Sequence, residues 1–200
     1  MKRLILASNN KKKLLELQSI LRDSGIEVIS QRDAGCSFEV EENGSTFEEN
    51  AYLKAIAVTK ATGEVAVADD SGLCVDYLDG APGLYSARFT GNHEDSDEAR
   101  VAFLLEKMQG AEDRKAKFVS AICCTFPSGD VLRTRGECPG SILTEPRGNG
   151  GFGYDPVFQP DGYAYSMAEM GTEVKNQISH RAKALAKFKE ELRDYNASHK

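Results

Sequence analysis

Two adjacent carboxylates, Asp69 and Asp70, end the apolar run of the segment EVAVADDSGL. Side chains alternate along a strand, so the two carboxylates point to opposite faces and at most one of them points into a given site. A carboxylate at a strand end is a usual ligand for Mg²⁺, which prefers a few hard oxygen ligands and keeps its waters and any phosphate oxygens. The alternative is that both carboxylates cap a turn at Ser71 and Gly72.

A second acidic stretch, EVEEN, contains Glu39, Glu41 and Glu42 and lies just before the helix that carries Lys54. A solvated acidic turn is the ordinary interpretation of such a run, and Lys54 by itself is ordinary helix surface. If Glu41 or Glu42 faces Asp70, however, the pair of carboxylates can bind a divalent ion. Lys54 is then available for the phosphates that this ion carries.

A polar loop, SNNKKK, follows the first apolar strand and opens a helix. Such a helix start presents backbone amides and the positive end of the helix dipole, where anions bind. The lysines add positive charge, although the glycines of a Walker loop are absent, and a solvated helix start is the alternative. The candidates for phosphate binding are Ser8, Asn9, Asn10, Lys11, Lys12 and Lys13.

The stretch GGFGYDPVF is too rich in glycine for a helix. Its glycines, Gly153 among them, allow the backbone to approach a ligand closely. Phe152 and Tyr154 offer flat faces for stacking, and Asp155 can accept hydrogen bonds from the edge of a base. A purine pocket needs these features, whereas the alternative is an ordered turn before a proline.

The segment EVKNQISHRAK supplies three further candidates, Lys175, His180 and Arg181. They add a cation and fixed donors to such a pocket. His180 is predicted at a helix start, where the dipole disfavours its protonation. The alternative is that His180 is a satisfied surface or core residue.

Alternating strands and helices are predicted to position these groups. The run RLILAS indicates a buried strand, and apolar residues then recur at helical spacing until Gly25. After a second strand, IEVIS, the residues Ser45 and Thr46 form overlapping capping boxes with Glu48 and Glu49. These boxes predict a helix that runs to the glycine at position 63.

The middle and the end of the chain continue this alternation. We expect EVAVADDSGL to pair antiparallel with LCVDYLDG, which an Asp-Gly turn closes. A helix over SDEARVAFLLEKMQ should stop at Gly110, and the four residues PSGD should join KFVSAICCTF and VLRTRGEC as a hairpin. Ser179 is predicted to cap a last helix over SHRAKALAKFKEELRDY.

Composition narrows the class of protein. The 200 residues, 40 % of them hydrophobic, suffice for one domain or for two closely merged lobes. A net charge of -6 disfavours binding along a nucleic-acid backbone. We expect a cytoplasmic protein without membrane association, because the first residues are too polar for a signal peptide and no stretch approaches the roughly 20 apolar residues of a membrane span. Five cysteines without a CxxC pair fit reduced thiols.

Five segments together resemble the successive signatures of the inosine triphosphate pyrophosphatase family, the dITP/XTP pyrophosphatases. They are LASNNKKKLLEL, STFEENAYLKA, ADDSGLCVDYLDGAPGLYSARF, GGFGYDPVF and ISHRAKAL, and they span nearly the whole chain in the order of the family. The resemblance implies an α/β fold with an elongated mixed sheet flanked by helices. It also implies that residues 1–200 form a single domain, with two lobes and a central cleft.

The resemblance further implies an activity and its cofactor. The expected reaction is the Mg²⁺-dependent hydrolysis of deaminated purine nucleoside triphosphates (ITP, dITP and XTP) to the monophosphate and pyrophosphate, in a homodimer. Asp70 matches the general base and metal ligand of the family, and Glu41 matches its metal-binding acid. The positions that match substrate contacts are Ser8, Asn10, Lys13, Lys54, Ser71, Phe152, Gly153, Tyr154, Asp155, Lys175, His180 and Arg181.

Two other functions are compatible with the same motifs. One is a Maf-type nucleotide pyrophosphatase with a different base preference, which a panel of ITP, XTP, dUTP and dTTP distinguishes. The other is a nucleotide-binding module without activity. Such a module would tolerate the loss of the carboxylates, whereas Asp70 and Glu41 are both present here.

Overall fold

The computed structural model describes residues 2–92 and 94–199 and has an α/β architecture. Its strands are β1 (Arg3–Leu6), β2 (Glu27–Ser30), β3 (Ala66–Val75), β4 (Lys115–Thr125), β5 (Val131–Ile142) and β6 (Phe158–Pro160). Its α-helices are α1 (Lys11–Leu21), α2 (Phe47–Thr62), α3 (Asp97–Lys107), α4 (Thr172–Ile178) and α5 (His180–Ser198). Short 3-10 turns connect several of these elements.

The six strands form one sheet in the order β2-β1-β3-β4-β5-β6. Strand β1 pairs parallel with both β2 and β3, whereas β5 pairs antiparallel with β6. The sheet is therefore mixed, which confirms the expected fold class.

The chain divides into two compact units, each with its own apolar core. The first unit contains Met1–Asp70, Ser120–Arg135 and Lys183–Lys200, and the second contains Ser71–Val119 and Gly136–Ala182. The core of the first unit packs residues of α1 and α5, such as Leu21 and Phe188, against β1 and β4. The core of the second unit packs Leu104 of α3 with Leu73 and Phe158.

Local capping signals predicted most helices correctly. The hydroxyl of Thr46 accepts a hydrogen bond from the N–H of Glu49 at 3.1 Å, and the carboxylate of Glu49 accepts from the N–H of Ser45 at 2.6 Å. The bond between Thr46 and Glu49 is the first half of the predicted capping box, whereas the Glu49 carboxylate bonds one residue before the N-cap. Helix α2 is followed by its C-cap Gly63, whose φ of +69° terminates the helix. Ser179 caps α5 as expected, because its hydroxyl accepts from the N–H of Ala182 at 3.1 Å.

The predicted turn at Ser71 and Gly72 is wrong. Both residues continue β3, which runs for 10 residues without interruption. Buried apolar side chains on either side, Val67 and Leu73, keep the strand within the sheet, so the local Ser-Gly signal does not break the pairing. The chain reverses only at the Asp-Gly pair, where Gly80 donates to the carbonyl of Val75 at 2.9 Å.

The hairpin of β4 and β5 is confirmed, and two elements were not predicted. The N–H of Phe126 donates to the carbonyl of Asp130 at 3.0 Å across the four-residue turn. Strand β6 has only three residues and helix α4 only seven, so neither is long enough to show a periodic apolar pattern. Among the helices of the described residues, none combines the length and the apolarity that a membrane crossing needs.

Candidate functional site

Asp69 and Asp70 point to opposite faces of β3, as the alternation of a strand predicts. The carboxylate of Asp69 pairs with the ammonium of Lys13 at 2.9 Å. The carboxylate of Asp70 pairs with the ammonium of Lys54 at 3.3 Å. Each acid thus contacts a lysine of a different helix, and the alternative that both merely cap a turn is wrong.

Lys54 joins two carboxylates that are far apart in the sequence. Its Nζ lies 2.9 Å from Oε1 of Glu42 and 3.3 Å from Oδ1 of Asp70, and its side chain is only 14 % exposed. Of the two acids that the sequence leaves open, Glu42 therefore makes the contact to this cluster, whereas Glu41 is exposed. Asn50 completes the cluster, because its amide donates to Oδ2 of Asp70 at 3.2 Å. We call Glu42, Asn50, Lys54 and Asp70 the acidic cluster.

The charges of the acidic cluster are strongly coupled. Burial raises the pKa of Asp70 above its ordinary value; the positive charge of Lys54 opposes this shift and the negative charge of Glu42 adds to it. Burial alone would lower the pKa of Lys54, but the charges of Asp70 and Glu42 outweigh it, and the pKa of Lys54 lies above its ordinary value. Lys54 is accordingly a cation that holds two acids together.

The polar loop after β1 is shaped by its own side chains. The N–H of Asn10 donates to the hydroxyl of Ser8 at 3.1 Å, and Oδ1 of Asn10 accepts from the N–H groups of Lys12 and Lys13 at 2.9 and 3.2 Å. Asn10 is therefore the N-cap of α1. Asn9, Lys11 and Lys12 are exposed at the surface, and Lys13 is drawn inward by its contact with Asp69.

In the glycine-rich stretch, Asp155 organises the backbone. Its side chain is buried, and Oδ2 accepts from the N–H of Phe152 at 2.9 Å and from the ammonium of Lys175. A Cβ on Gly151 would lie 2.1 Å from this oxygen, which explains why glycine is required there. The Lys175 ammonium also lies 4.9 Å from the centre of the Phe152 ring. The Phe152 side of the turn is thus tied to α4.

The two aromatic rings of this stretch differ in their surroundings. Phe152 is 48 % exposed, whereas Tyr154 is 4 % exposed and belongs to the core of the second unit. The hydroxyl of Tyr154 donates to the carbonyl of Ser86 at 2.9 Å. The expectation that both rings offer a face to a ligand is therefore corrected, because of the two rings only that of Phe152 is exposed.

His180 and Arg181 occupy the first turn of α5. The ring of His180 stacks on Phe118 with 4.9 Å between the ring centres and an interplanar angle of 15°. Nη2 of Arg181 lies 3.5 Å from the hydroxyl of Ser71, a long hydrogen bond. The sequence alone predicted this helix start, but not the packing of His180 on an aromatic ring.

Two residues at these sites were not found by sequence reasoning. Asn50 is 1 % exposed and has no distinguishing local pattern within its helix. Asp97 lies in the first turn of α3, where an acidic residue is ordinary, yet its Oδ2 accepts from the N–H of Gly153 at 2.6 Å. No signal in the sequence links Asp97 to a glycine 56 residues later.

The two carboxylates of the acidic cluster are candidate ligands for a divalent ion. Oxygens of Glu42 and Asp70 converge on one positive group, the Lys54 ammonium, which marks a point where a cation is favourable. Within residues 2–92 and 94–199, no group of three or more His, Cys, Asp or Glu side chains gathers as a metal site. Two carboxylates fit Mg²⁺, which commonly takes one or two from the protein and fills its shell with water and phosphate oxygens.

This mixed sheet, with its lysine–carboxylate pairs and its glycine-aromatic turn, defines an α/β protein with candidate sites for phosphate, a cation and a base. A model of the Ham1 family matches residues 4–191, and the chain belongs to that family. The solved structure of the Staphylococcus aureus Ham1 protein is similar, with a TM-score of 0.91 and 41 % identity over 97 % of this chain and 100 % of that one.

Curated relatives carry the name that the sequence motifs suggest. A protein of Bacillus licheniformis named dITP/XTP pyrophosphatase is 46 % identical over 94 % of this chain and 96 % of its own length. A protein of the same name from Desulforamulus reducens is 48 % identical, with 95 % of each chain covered. These similarities confirm the resemblance drawn from the five sequence segments.

Proposed function

We propose that this protein hydrolyses deaminated purine nucleoside triphosphates, such as ITP, dITP and XTP, to the monophosphate and pyrophosphate. The observation that carries the proposal is the acidic cluster, in which Glu42 and Asp70 converge on Lys54 in a chain whose relatives are named dITP/XTP pyrophosphatase. Such a reaction needs carboxylates for a metal ion and lysines for phosphate charge.

The triphosphate is proposed to contact the loop after β1 and the lysines next to β3. The helix dipole favours an anion at the start of α1. The residues around this start are Ser8, Asn9, Asn10, Lys11 and Lys12. Lys13 and Lys54 now pair with carboxylates, and phosphate oxygens offer them the same kind of partner. Phosphate oxygens of the substrate would therefore take the place of these carboxylates as the partners of the two lysines.

Mg²⁺ is the proposed cofactor, held by Asp70 with Glu42 or Glu41. When bound, this ion supplies charge neutralisation of the phosphates and lowers the pKa of a nearby water. Glu42 is the stronger candidate because it already contacts the cluster, while Glu41 rests on its match to the family motif. The metal dependence can be read directly from the effect of a chelator.

Asp70 is proposed as the general base of the hydrolysis. Burial raises its pKa, which strengthens it as a proton acceptor, and Asn50 and Lys54 hold its two oxygens. The water oxygen forms a bond to the α-phosphorus as its proton passes to Asp70. The bond from that phosphorus to the bridging oxygen breaks, and pyrophosphate leaves with the electron pair. Lysine charge stabilises this leaving group.

The base is proposed to stack on Phe152, the exposed ring of the glycine-aromatic turn. The shape of this turn is maintained by Gly153, Tyr154, Asp155 and Lys175. Polar contacts to the base are proposed to come from Ser71, His180 and Arg181. Donors arranged for a 6-oxo group are left unpaired opposite the 6-amino group of adenine, which costs several kcal/mol. Guanine shares the 6-oxo group, so its rejection must act at the 2-amino position.

At the level of the whole chain, we propose a single domain over residues 1–200 that acts as a homodimer in the cytoplasm. The two compact units are each assembled from separate segments of the chain, so neither is a continuous piece. Analytical ultracentrifugation at micromolar concentration tests the dimer, and a monomer under those conditions would contradict it.

The decisive assay is pyrophosphate release from ITP, XTP, GTP, ATP, dUTP and dTTP, each with Mg²⁺ and with chelator. We expect metal-dependent release from ITP and XTP far above that from the other nucleotides. Preferred release from dUTP or dTTP would favour a Maf-type enzyme. Binding of ITP without release from any nucleotide would contradict the enzymatic function.

Asp70→Asn tests the catalytic assignment. This variant keeps the shape of the side chain but removes the base and a metal ligand, so turnover should fall at least about a hundredfold while the protein stays folded. Circular dichroism confirms folding, and Asp69→Asn is the matched variant on the opposite face of β3. Near wild-type turnover of Asp70→Asn would move the role elsewhere.

A further inference from the structure

We propose that Asp97 is a positioning residue for base recognition, because it fixes the backbone that presents Phe152. This inference rests on the proposed function and adds a residue outside the five family signatures. It belongs to α3, and its carboxylate reaches the glycine-aromatic turn from outside: Oδ2 accepts from the N–H of Gly153 at 2.6 Å.

The shape of the turn depends on hydrogen bonds because two of its residues are glycines with little conformational preference of their own. Gly151 and Gly153 have φ angles of +78° and +60°, a region that glycine enters without steric resistance and leaves as easily. Hydrogen bonds must therefore set the direction in which Phe152 points. Asp155 holds the N–H of Phe152 at 2.9 Å, and Asp97 holds the next N–H along the chain.

These two acceptors fix consecutive peptide units on the two sides of the Phe152 Cα. Both are carboxylates, and hydrogen bonds to a charged acceptor are stronger than those between neutral groups. With both peptide planes held, the exposed ring of Phe152 is displayed at a defined angle, as stacking on a base requires. Without Asp97, the second plane keeps only the bond from the N–H of Asp155 to the carbonyl of Phe152 at 3.2 Å, a bond between neutral groups, so the direction of the ring is less firmly fixed.

Asp97 is itself held in place. Arg100, one helical turn later, pairs with Oδ1 of Asp97 and also donates to the carbonyl of Ala87 at 3.3 Å. The helix is immobilised by Val101 and Leu104, which pack in the same apolar cluster as Tyr154. The side chain of Asp97 is 41 % exposed, so its position depends on Arg100 and on the packing of the helix beneath it.

The test compares Asp97→Ala with Asp97→Asn and with Glu106→Gln, an exposed acid on the same helix. Asp97→Ala should raise the KM for ITP about tenfold with kcat changed less than about twofold, the pattern of lost substrate binding rather than lost chemistry. Asp97→Asn keeps an oxygen acceptor and should recover most of the affinity. Glu106→Gln should match the wild type.

A second measurement separates positioning from a general loss of structure. In calorimetric titrations, Asp97→Ala should weaken the binding of IMP, which carries the base, about tenfold and leave the binding of pyrophosphate unchanged. Phe152→Ala is the positive control and should show the same selective loss. Equal weakening of IMP and pyrophosphate, or an unchanged KM for ITP, overturns the inference.

Arg100→Gln covers the case in which Asp97→Ala does not fold. It removes the partner of Asp97 Oδ1 and keeps the acceptor itself, so the KM for ITP should rise severalfold in the same direction; an unchanged KM overturns the inference. Hydrolysis of ITP by the wild type tests the proposed function separately. Active wild type with an unaffected Asp97→Ala contradicts only the inference, whereas a wild type that neither hydrolyses ITP nor binds IMP contradicts both.

Discussion

At the scale of single residues, each of the two partly buried lysines proposed to bind phosphate is paired with a carboxylate. Lys13 pairs with Asp69 on one face of β3, and Lys54 pairs with Asp70 on the other. Because Lys54 is only 14 % exposed, its ammonium cannot rely on water and depends on these carboxylates. When substrate and metal bind, a phosphate oxygen would replace the carboxylate beside the lysine, and the metal ion would replace the lysine beside the carboxylate. Every charge would then stay compensated.

The pH dependence of the reaction should report the coupling between Lys54 and Asp70. The pKa of Asp70 is raised by burial and lowered by the positive charge of Lys54. Lys54→Met removes that charge, so the pKa of Asp70 should rise further and the general base should be lost at a higher pH. We expect the acid limb of the kcat/KM profile for ITP to move to higher pH. Lys60→Met, an exposed lysine of the same helix, is the control, and an unmoved limb would argue against Asp70 as the base.

The identity of the second metal-binding acid also belongs to this scale. Glu42 contacts Lys54 at 2.9 Å, whereas Glu41 is exposed. Glu42→Gln should therefore weaken the binding of Mn²⁺, followed by electron paramagnetic resonance, about tenfold, and Glu41→Gln should change it little. The opposite order would assign the metal to Glu41, as the match to the family motif predicts.

At the scale of elements, helix α2 carries two members of the acidic cluster. Asn50 lies in its first turns and Lys54 one turn later, so the start of the helix determines where both side chains lie. That start is defined by the cap bond between Thr46 and Glu49, together with the bond from the N–H of Gly44 to Oδ1 of Asn50 at 2.8 Å.

Thr46→Ala should therefore destabilise the protein through this helix. The hydroxyl that accepts from the N–H of Glu49 is lost, and the expected cost is about 1 kcal/mol in the free energy of unfolding. Urea denaturation followed by circular dichroism measures this cost. Thr46→Ser keeps the hydroxyl and serves as the control; equal stability of Thr46→Ala and the wild type would rule out a contribution from the cap.

At the scale of the whole molecule, the chain passes between its two compact units inside regular elements. The boundaries after residues 70, 119, 135 and 182 fall within β3, β4, β5 and α5. Since none of these four boundaries lies in a loop, we expect the units to unfold in one cooperative transition, as the proposed single domain predicts.

Buried thiols make this expectation measurable. Cys124 lies in the first unit and Cys138 in the second, and both are buried. Burial raises the pKa of the Cys124 thiol well above its ordinary value and that of the neighbouring Cys123 to about 11, so these two thiols are hardly ionised near pH 8 in the native state. In pulsed thiol labelling across a urea gradient, Cys124 and Cys138 should lose protection at the same midpoint. Two separate midpoints would show that the units unfold independently.

The sequence by itself determined the features that depend on near neighbours in the chain. The cap at Thr46, the cap at Ser179 and the four-residue turn between β4 and β5 were predictable because their hydrogen bonds join residues only a few positions apart. The family was recognisable for a related reason, because its signatures are short runs of adjacent residues.

Tertiary structure alone decided which distant side chains meet. Three contacts join separate parts of the chain. They are the ion pair of Lys54 with Glu42, the hydrogen bond from the buried Asn50 to Asp70, and the hydrogen bond from Gly153 to Asp97. The prediction of a turn at Ser71 was wrong for the same reason, because the pairing of β3 within the sheet outweighs the local turn preference of Ser-Gly. Contacts of this kind depend on where the chain returns in space, and that is determined by the packing of whole elements into a core.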